Sequence, residues 1–238
     1  MISMNKDSTL NIIVPCFNPL ENWQLELIKS FNVIQELLQQ TEIKIILVND
    51  GSSKNLDKDI KFLEKNIPNF HFIDLKTNNG KGFAIRQGFK ISNADCTVFT
   101  DIDFPYKENN LIEMVSKIEN GADFVIGIRK ENYYKKIPFI RKNLSLTFKK
   151  ILKFLFKIPT SDTQAGLKAF SKNMKHIVLE TKVNRYLFDL ELIKLANKNK
   201  KIKFDYVDLS LKDNIILSQM SLSILFKEFK NLIKILFS

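Results

Sequence analysis

Two carboxylates one residue apart, Asp101 and Asp103, close the apolar run Cys96-Thr97-Val98-Phe99, and Pro105 forbids that run from continuing as a strand. On an extended backbone the side chains at i and i+2 share a face. Both acids could then converge on one hard divalent cation, which takes oxygen ligands and phosphate partners. The same residues also suit an acidic turn that merely caps a strand, so the rest of the chain must separate the two readings. A third acid, Asp50, follows another strand-like run within Asn49-Asp50-Gly51-Ser52-Ser53, and Arg129 follows the run 123–128. Lys81 stands in Gly80-Lys81-Gly82, just ahead of a helical stretch. That turn is not a dinucleotide fingerprint, because Ile85 occupies the place of the third glycine, and it is not a P-loop, because the GK[ST] ending is absent. With Lys81 and Arg86 beside it, the turn either offers a helix amino terminus to an anion or is simply solvated.

Holding these groups together requires strands that end at one edge. The pattern predicts a strand over 11–15 closed by Pro15, and a helix over 21–40 with Leu25, Ile28, Val33 and Leu37 on its apolar side. Strands follow at 43–48 and 70–75 with a helix over 56–66 between them, then a helix over 83–91, the strand 96–99, a helix over 107–119 and the strand 123–128. A turn and short strand are expected within 162–170, a helix ending near 199, and a late strand over 203–209. This rhythm predicts an α/β fold with a mainly parallel sheet and right-handed crossovers. Ligands bind such sheets outside the carboxyl ends of the strands, where Asp50, Asp101, Asp103 and Arg129 would meet. Asp189 and Glu191 fall in the first turn of the penultimate helix, where the helix dipole alone would favour acids. The chain has only seven glycines, so each is expected where φ > 0 or close backbone approach demands one.

At 238 residues the chain suits one large domain, 1–238. Its formal charge of +11 points to nucleic acid, anionic membranes or phosphorylated substrates. From 129 to 157 ten Lys or Arg stand against the single acid Glu131. Leu144, Phe148, Ile151, Leu152 and Leu155 gather on one side of a helical wheel, with Lys142, Lys149, Lys150, Lys153 and Lys157 on the other. A packed surface helix, a membrane-interface helix and a nucleic-acid patch compete here. Phe154 and Phe156 widen the apolar face, which favours the membrane. A second amphipathic helix is expected over 215–238, carrying Leu222, Leu225, Phe226, Phe229, Leu232, Ile233 and Leu236 at helical spacing. Cys16 and Cys96 lack metal-ligand spacing and read as core thiols of a reducing compartment. No signal core and no run of ~18 apolar residues is evident, so the expectation is a cytosolic protein with peripheral membrane contact.

Taken in order, strand-Pro15, Asn49-Asp50-Gly51-Ser52, Asn79-Gly80-Lys81-Gly82, Thr100-Asp101-Ile102-Asp103, Gly127-Ile128-Arg129, Asp162-Thr163-Gln164-Ala165-Gly166 and Arg185-Tyr186-Leu187-Phe188-Asp189 resemble the family 2 glycosyltransferases of GT-A fold. Within them the chain is most similar to the dolichyl-phosphate or polyprenyl-phosphate hexosyltransferases, over about residues 10–209. The resemblance implies a nucleotide-sugar-binding half, 10–130, and an acceptor half, 131–210. It implies that Pro15, Asp50 and Lys81 serve the nucleotide sugar, with Asp50 on the base. Asp101 and Asp103 would hold Mg²⁺ or Mn²⁺ against the diphosphate. Arg129, Arg141, Ser145 and Arg185 would bind the acceptor phosphate, and Asp103, Arg185 and Asp189 are the implied catalytic residues. The implied reaction is inverting transfer of a hexose from a UDP- or GDP-sugar to a polyprenyl phosphate at the cytoplasmic membrane face. The alternative acceptor is a sugar hydroxyl in a surface polysaccharide or glycan, for which Asp189 would be the base. Nucleic acid is not an expected partner, since the ordered motifs would then have no purpose. One departure stands out: relatives often carry a polar residue two positions after the second Asp, where this chain has Pro105.

Overall fold

The computed structural model describes residues 8–129, 160, 162–185 and 187–213. Arg141, Ser145, most of the basic segment 129–157 and the helix expected over 215–238 lie outside the described residues.

Seven strands form one sheet: β1 (Thr9–Cys16), β2 (Glu42–Asp50), β3 (Phe70–Leu75), β4 (Cys96–Phe99), β5 (Phe124–Arg129), β6 (Lys168–Ser171) and β7 (Phe204–Leu209). Their order across the sheet is β3-β2-β1-β4-β6-β5-β7. All neighbours pair in parallel except β6, which runs antiparallel between β4 and β5. The antiparallel strand brings Lys168 opposite Phe99, so the amino end of β6 shares the edge reached by the carboxyl ends of the other strands. The sheet draws its strands from both sides of residue 130.

The helices are α1 (Trp23–Leu37), α2 (Asp57–Asn66), α3 (Lys81–Ile91), α4 (Glu108–Glu119), α5 (Lys175–Glu180) and α6 (Phe188–Lys198). Alternation along the buried strands sorts them into two layers. Leu10, Ile12 and Val14 of β1 face the core shared with α1, α2 and α4, while Ile13 faces the core shared with α3, α5 and α6. In that second core Phe170 of β6 stacks on Phe124 at 4.8 Å and on Phe99 at 5.7 Å between ring centroids. Each such aromatic pair adds about 0.5–1.5 kcal/mol beyond its buried area. The stack makes a stiff floor beneath the end of β4.

The expected apolar side of α1 is corrected. Trp23, Leu27, Phe31 and Ile34 are buried with Ser30, whereas Leu25 is 50% and Leu37 46% exposed. Both faces of this helix carry aliphatic residues, and the indole of Trp23, donating to Asp59 Oδ2 at 3.3 Å, anchors the inward one. Among the described residues no helix is long and apolar enough to cross a membrane. Cys16 and Cys96 are buried free thiols, as expected.

Candidate active site

The last rung of β4 toward β1 is Thr100 N–H donating to the Ile13 carbonyl at 3.1 Å. Beyond it the chain does not stay extended. Phe104 N–H donates back to the Asp101 carbonyl at 3.0 Å, and Phe104 itself takes a left-handed backbone with φ 40°. Asp101 and Asp103 therefore share a tight turn rather than one face of a strand. Pro105 explains part of this, because a proline disfavours the right-handed helical region for the residue before it. The acids nonetheless remain together at the predicted edge.

The two differ in environment. Asp101 is ion-paired with the Lys81 ammonium, which also lies 5.5 Å from the centre of the Phe99 ring. Burial alone would lower the Lys81 pKa, but the carboxylates of Asp101, Asp189 and Asp103 outweigh it and hold the ammonium above its ordinary range. On its other flank Asp101 meets Gly166 so closely that a Cβ there would overlap Asp101 Oδ2. Asp103 is exposed as a residue, yet its carboxyl is partly desolvated by the protein around it. That desolvation, with the Asp101 charge as the second cause, pushes its pKa up to about 6 against the pull of Lys81 and Lys212.

Asp50, the last residue of β2, is 3% exposed. Its two carboxylate oxygens accept Asn79 N–H at 2.8 Å and Gly80 N–H at 2.7 Å, holding the loop that leads into α3. Gly80 adopts φ 105°, and a side chain there would collide with the Asn184 carbonyl. That carbonyl accepts Gly82 N–H at 2.8 Å and Phe83 N–H at 3.4 Å. The amino terminus of α3 is thus capped by the chain itself and does not present those N–H groups to an anion. Arg86 is likewise used internally, donating to Thr181 Oγ1 at 3.2 Å, the Val183 carbonyl at 2.9 Å and Asn184 Oδ1. Of the anion-binding features expected here, Lys81 alone faces the acids.

Arg129 ends β5 and closes a fork on Asp162, with Nε at 3.0 Å and Nη2 at 2.6 Å from its oxygens, while its own N–H donates to Asp162 Oδ2 at 2.8 Å. The Asp162 side chain is 1% exposed and that of Arg129 12%. The pair pins the 162–166 loop, and with it Gly166, beside Asp101. Pro15 lies in β1 opposite Val48, one residue before the strand ends. Arg185 is exposed, its side chain packed toward Gly80, and it makes no ion pair with a described residue.

Asp189 and Glu191 are more than dipole-favoured acids of a first turn. Glu191 Oε2 accepts Lys182 N–H at 2.9 Å and Val183 N–H at 2.8 Å. Asp189 is buried and lies 2.7 Å from the ammonium of Lys168, whose side chain is wholly buried. Lys168 Nζ also donates to the Ala165 carbonyl at 2.6 Å and sits 5.3 Å from the Phe99 ring centre. Burial pulls its pKa down, and Asp189 opposes that pull. Lys168, Asp162 and Lys212 are site-forming residues that sequence reasoning did not assign. A lysine within the strand-like run Leu167-Lys168-Ala169-Phe170 was the available signal.

Among the described residues, no group of three or more His, Cys, Asp or Glu side chains could hold an ion. Asp101 and Asp103 are nevertheless oxygen donors on one turn, and the charge of the first raises the second. That donor set fits Mg²⁺ or Mn²⁺ completed by water and substrate phosphate, the usual way such ions are held at phosphate-handling sites.

The chain is similar to known proteins in both sequence and fold. The dolichyl-phosphate beta-glucosyltransferase of Dictyostelium discoideum is 29% identical over 203 residues, covering 79% of this chain and 62% of its own length. The UDP-N-acetylglucosamine--dolichyl-phosphate N-acetylglucosaminyltransferase of Methanococcus voltae is 29% identical over 215 residues, covering 82% of each chain. The chain thus spans about three fifths of the Dictyostelium relative. Among solved structures, glucosyl-3-phosphoglycerate synthase of Mycobacterium tuberculosis with Mg²⁺ and UDP superposes with a TM-score of 0.70 at 15% identity, over 96% of this chain and 78% of that one. The same enzyme with Mn²⁺, UDP-glucose and phosphoglyceric acid gives 0.68 at 14% identity, again over 96% and 78%. These likenesses establish the GT-A fold. The model of glycosyl transferase family 2 matches residues 11–177, well over half the sequence, and the chain belongs to that family.

Proposed function

We propose that the protein transfers a hexose from a nucleotide sugar to a polyprenyl phosphate, with inversion at the anomeric carbon, while in peripheral contact with the cytoplasmic face of a membrane. The observation that carries this reading is the mixed-charge cluster at the end of β4, where Asp101, Asp103 and Lys81 stand together. It suits a diphosphate leaving group. A Mg²⁺ or Mn²⁺ ion held by Asp101 and Asp103 would stabilise the charge that develops on that group. Lys81 supplies a second positive charge at the same place, and Asp50 shapes the loop beside it. The names of the relatives support a lipid-phosphate acceptor, and the basic sequence of 129–157 supports a membrane surface rich in anionic lipid, where each Lys or Arg contributes about 1 kcal/mol.

The state of Asp189 favours phosphate over hydroxyl as acceptor. A hydroxyl must lose its proton to a base, whereas a phosphate oxygen is already anionic at neutral pH. Asp189, the acid implied for that task, is buried and engaged by Lys168. Asp189→Asn is therefore expected to reduce transfer to polyprenyl phosphate less than about tenfold, whereas loss of a general base costs about 10²–10⁴-fold. Parallel rates with a lipid phosphate and with sugar acceptors, read beside the variant's melting curve because the change leaves Lys168 buried without its partner, decide the matter: a collapse of activity in a variant that is still folded contradicts the phosphate reading.

Asp103 makes donor binding depend on pH. Its carboxyl, normally near 3.8, is raised to about 6, so the proton is favoured in the folded protein. The stability this contributes is complete below the ordinary value and is lost as pH rises through about 6. A cation that needs the ionised carboxylate must displace the proton, so its apparent affinity falls as pH drops below that value. Mn²⁺ titrations are expected to show binding about tenfold weaker at pH ~5 than at pH ~7. Asp103→Asn should abolish that dependence along with most of the binding.

A further inference from the structure

The turn that carries Asp101 and Asp103 is strained, yet it is held firmly from behind. Phe104 has a left-handed backbone, rare for a bulky residue, and persists only where the surroundings over-determine it. The surroundings here are the segment 210–212, distant in sequence. Lys212 N–H donates to the Pro105 carbonyl at 3.0 Å, Lys107 N–H donates to the Ser210 carbonyl at 2.9 Å, and Tyr106 bridges Leu211 antiparallel. The Lys212 side chain then folds beneath the turn. Its ammonium lies 5.9 Å from the centre of the Phe104 ring, 2.6 Å from Glu108 Oε1 and 2.8 Å from Ser30 Oγ. Side-chain exposure is 20% for Lys212 and 17% for Glu108, so this is a sheltered clasp and not a surface ion pair. One lysine thereby joins α1, the first residue of α4 and the turn.

We propose that Lys212 is the positioning residue of the turn that carries Asp101 and Asp103: its ammonium by the Phe104 ring and its N–H on the Pro105 carbonyl keep Asp103 facing the same cation as Asp101. The inference rests on the reading of Asp101 and Asp103 as the cation seat. Residues that orient metal ligands typically cost about 10–100-fold in metal affinity when removed.

The test is a titration of the full chain with Mn²⁺ in the presence of UDP or GDP, following free Mn²⁺ by its paramagnetic resonance signal at a temperature well below unfolding. Lys212→Met is expected to weaken Mn²⁺ binding about tenfold or more, and Lys212→Arg to restore most of it. A Lys212→Met protein that melts earlier but binds Mn²⁺ as the wild type does assigns the lysine to stability alone and overturns the proposal. If Lys212→Met does not fold, Phe104→Leu keeps an apolar side chain in the core while removing the ring beneath the ammonium. Weakened Mn²⁺ binding in that variant supports the proposal, and unchanged binding overturns it. A wild-type chain that binds no Mn²⁺ with either nucleotide overturns the cation seat as well, which separates the two failures.

Discussion

Gly166→Ala is expected to leave the protein folded and to remove most of its transferase activity. The added methyl would overlap Asp101 Oδ2, the far end of a side chain that can rotate away. The clash is therefore relieved by moving the carboxylate and not the backbone. The fold keeps its buried pairs, including the Arg129–Asp162 fork that fixes the same loop. The displaced Asp101 loses its place beside Asp103 and Lys81. Misplacing a reacting or charge-stabilising group by about 1 Å can cost 10²-fold in rate, and that is the expected loss. Steady-state transfer rates and thermal melting of wild type and variant, measured side by side, check both halves: an active variant removes Asp101 from the site, and an unfolded one removes the argument for a local effect.

Lys168→Met is expected to act on stability first. It leaves the Asp189 carboxylate buried without the ammonium in contact with it and the Ala165 carbonyl without its donor. Breaking one side of a buried ion pair costs about 3–5 kcal/mol, a large share of the ~5–15 kcal/mol that holds a typical domain together. Chemical denaturation reads the loss directly. The double variant Lys168→Met with Asp189→Leu is expected to recover much of it, because replacing both members of such a pair by apolar groups is often neutral. A single variant as stable as the wild type would mean that the pair is not buried in the working protein.

The central strands were legible as short buried apolar runs, such as Ile12-Ile13-Val14 in β1 and Ile45-Ile46-Leu47-Val48 in β2. The ranges 70–75 and 96–99 match β3 and β4 in both bounds, and Asp50, Asp101, Asp103 and Arg129 do reach one edge. What sequence pattern could not show is which polar groups the fold uses up on itself. Arg86 and the first N–H groups of α3 look available to a ligand until the 181–184 loop closes over them. Asp101 and Asp103 look extended until Phe104 turns, and nothing local to that turn announces the clasp, since Lys212 and Ser30 lie 182 residues apart. Gly166 was within reach: in a chain with seven glycines, one inside an ordered motif marks a close approach. Its partner, Asp101, could come only from coordinates.

The cluster at the end of β4 is proposed to serve transfer from a nucleotide sugar to a lipid phosphate. The most direct test of that role supplies the full chain with Mn²⁺, radiolabelled UDP- and GDP-hexoses in turn, and purified polyprenyl phosphate, and then follows the label into the organic phase. Lipid-soluble label is expected with at least one donor, lost when the ion is chelated and when Asp101 and Asp103 are both replaced by Asn. Label that stays in the aqueous phase with every donor, or that reaches the lipid equally well in the double variant, contradicts it.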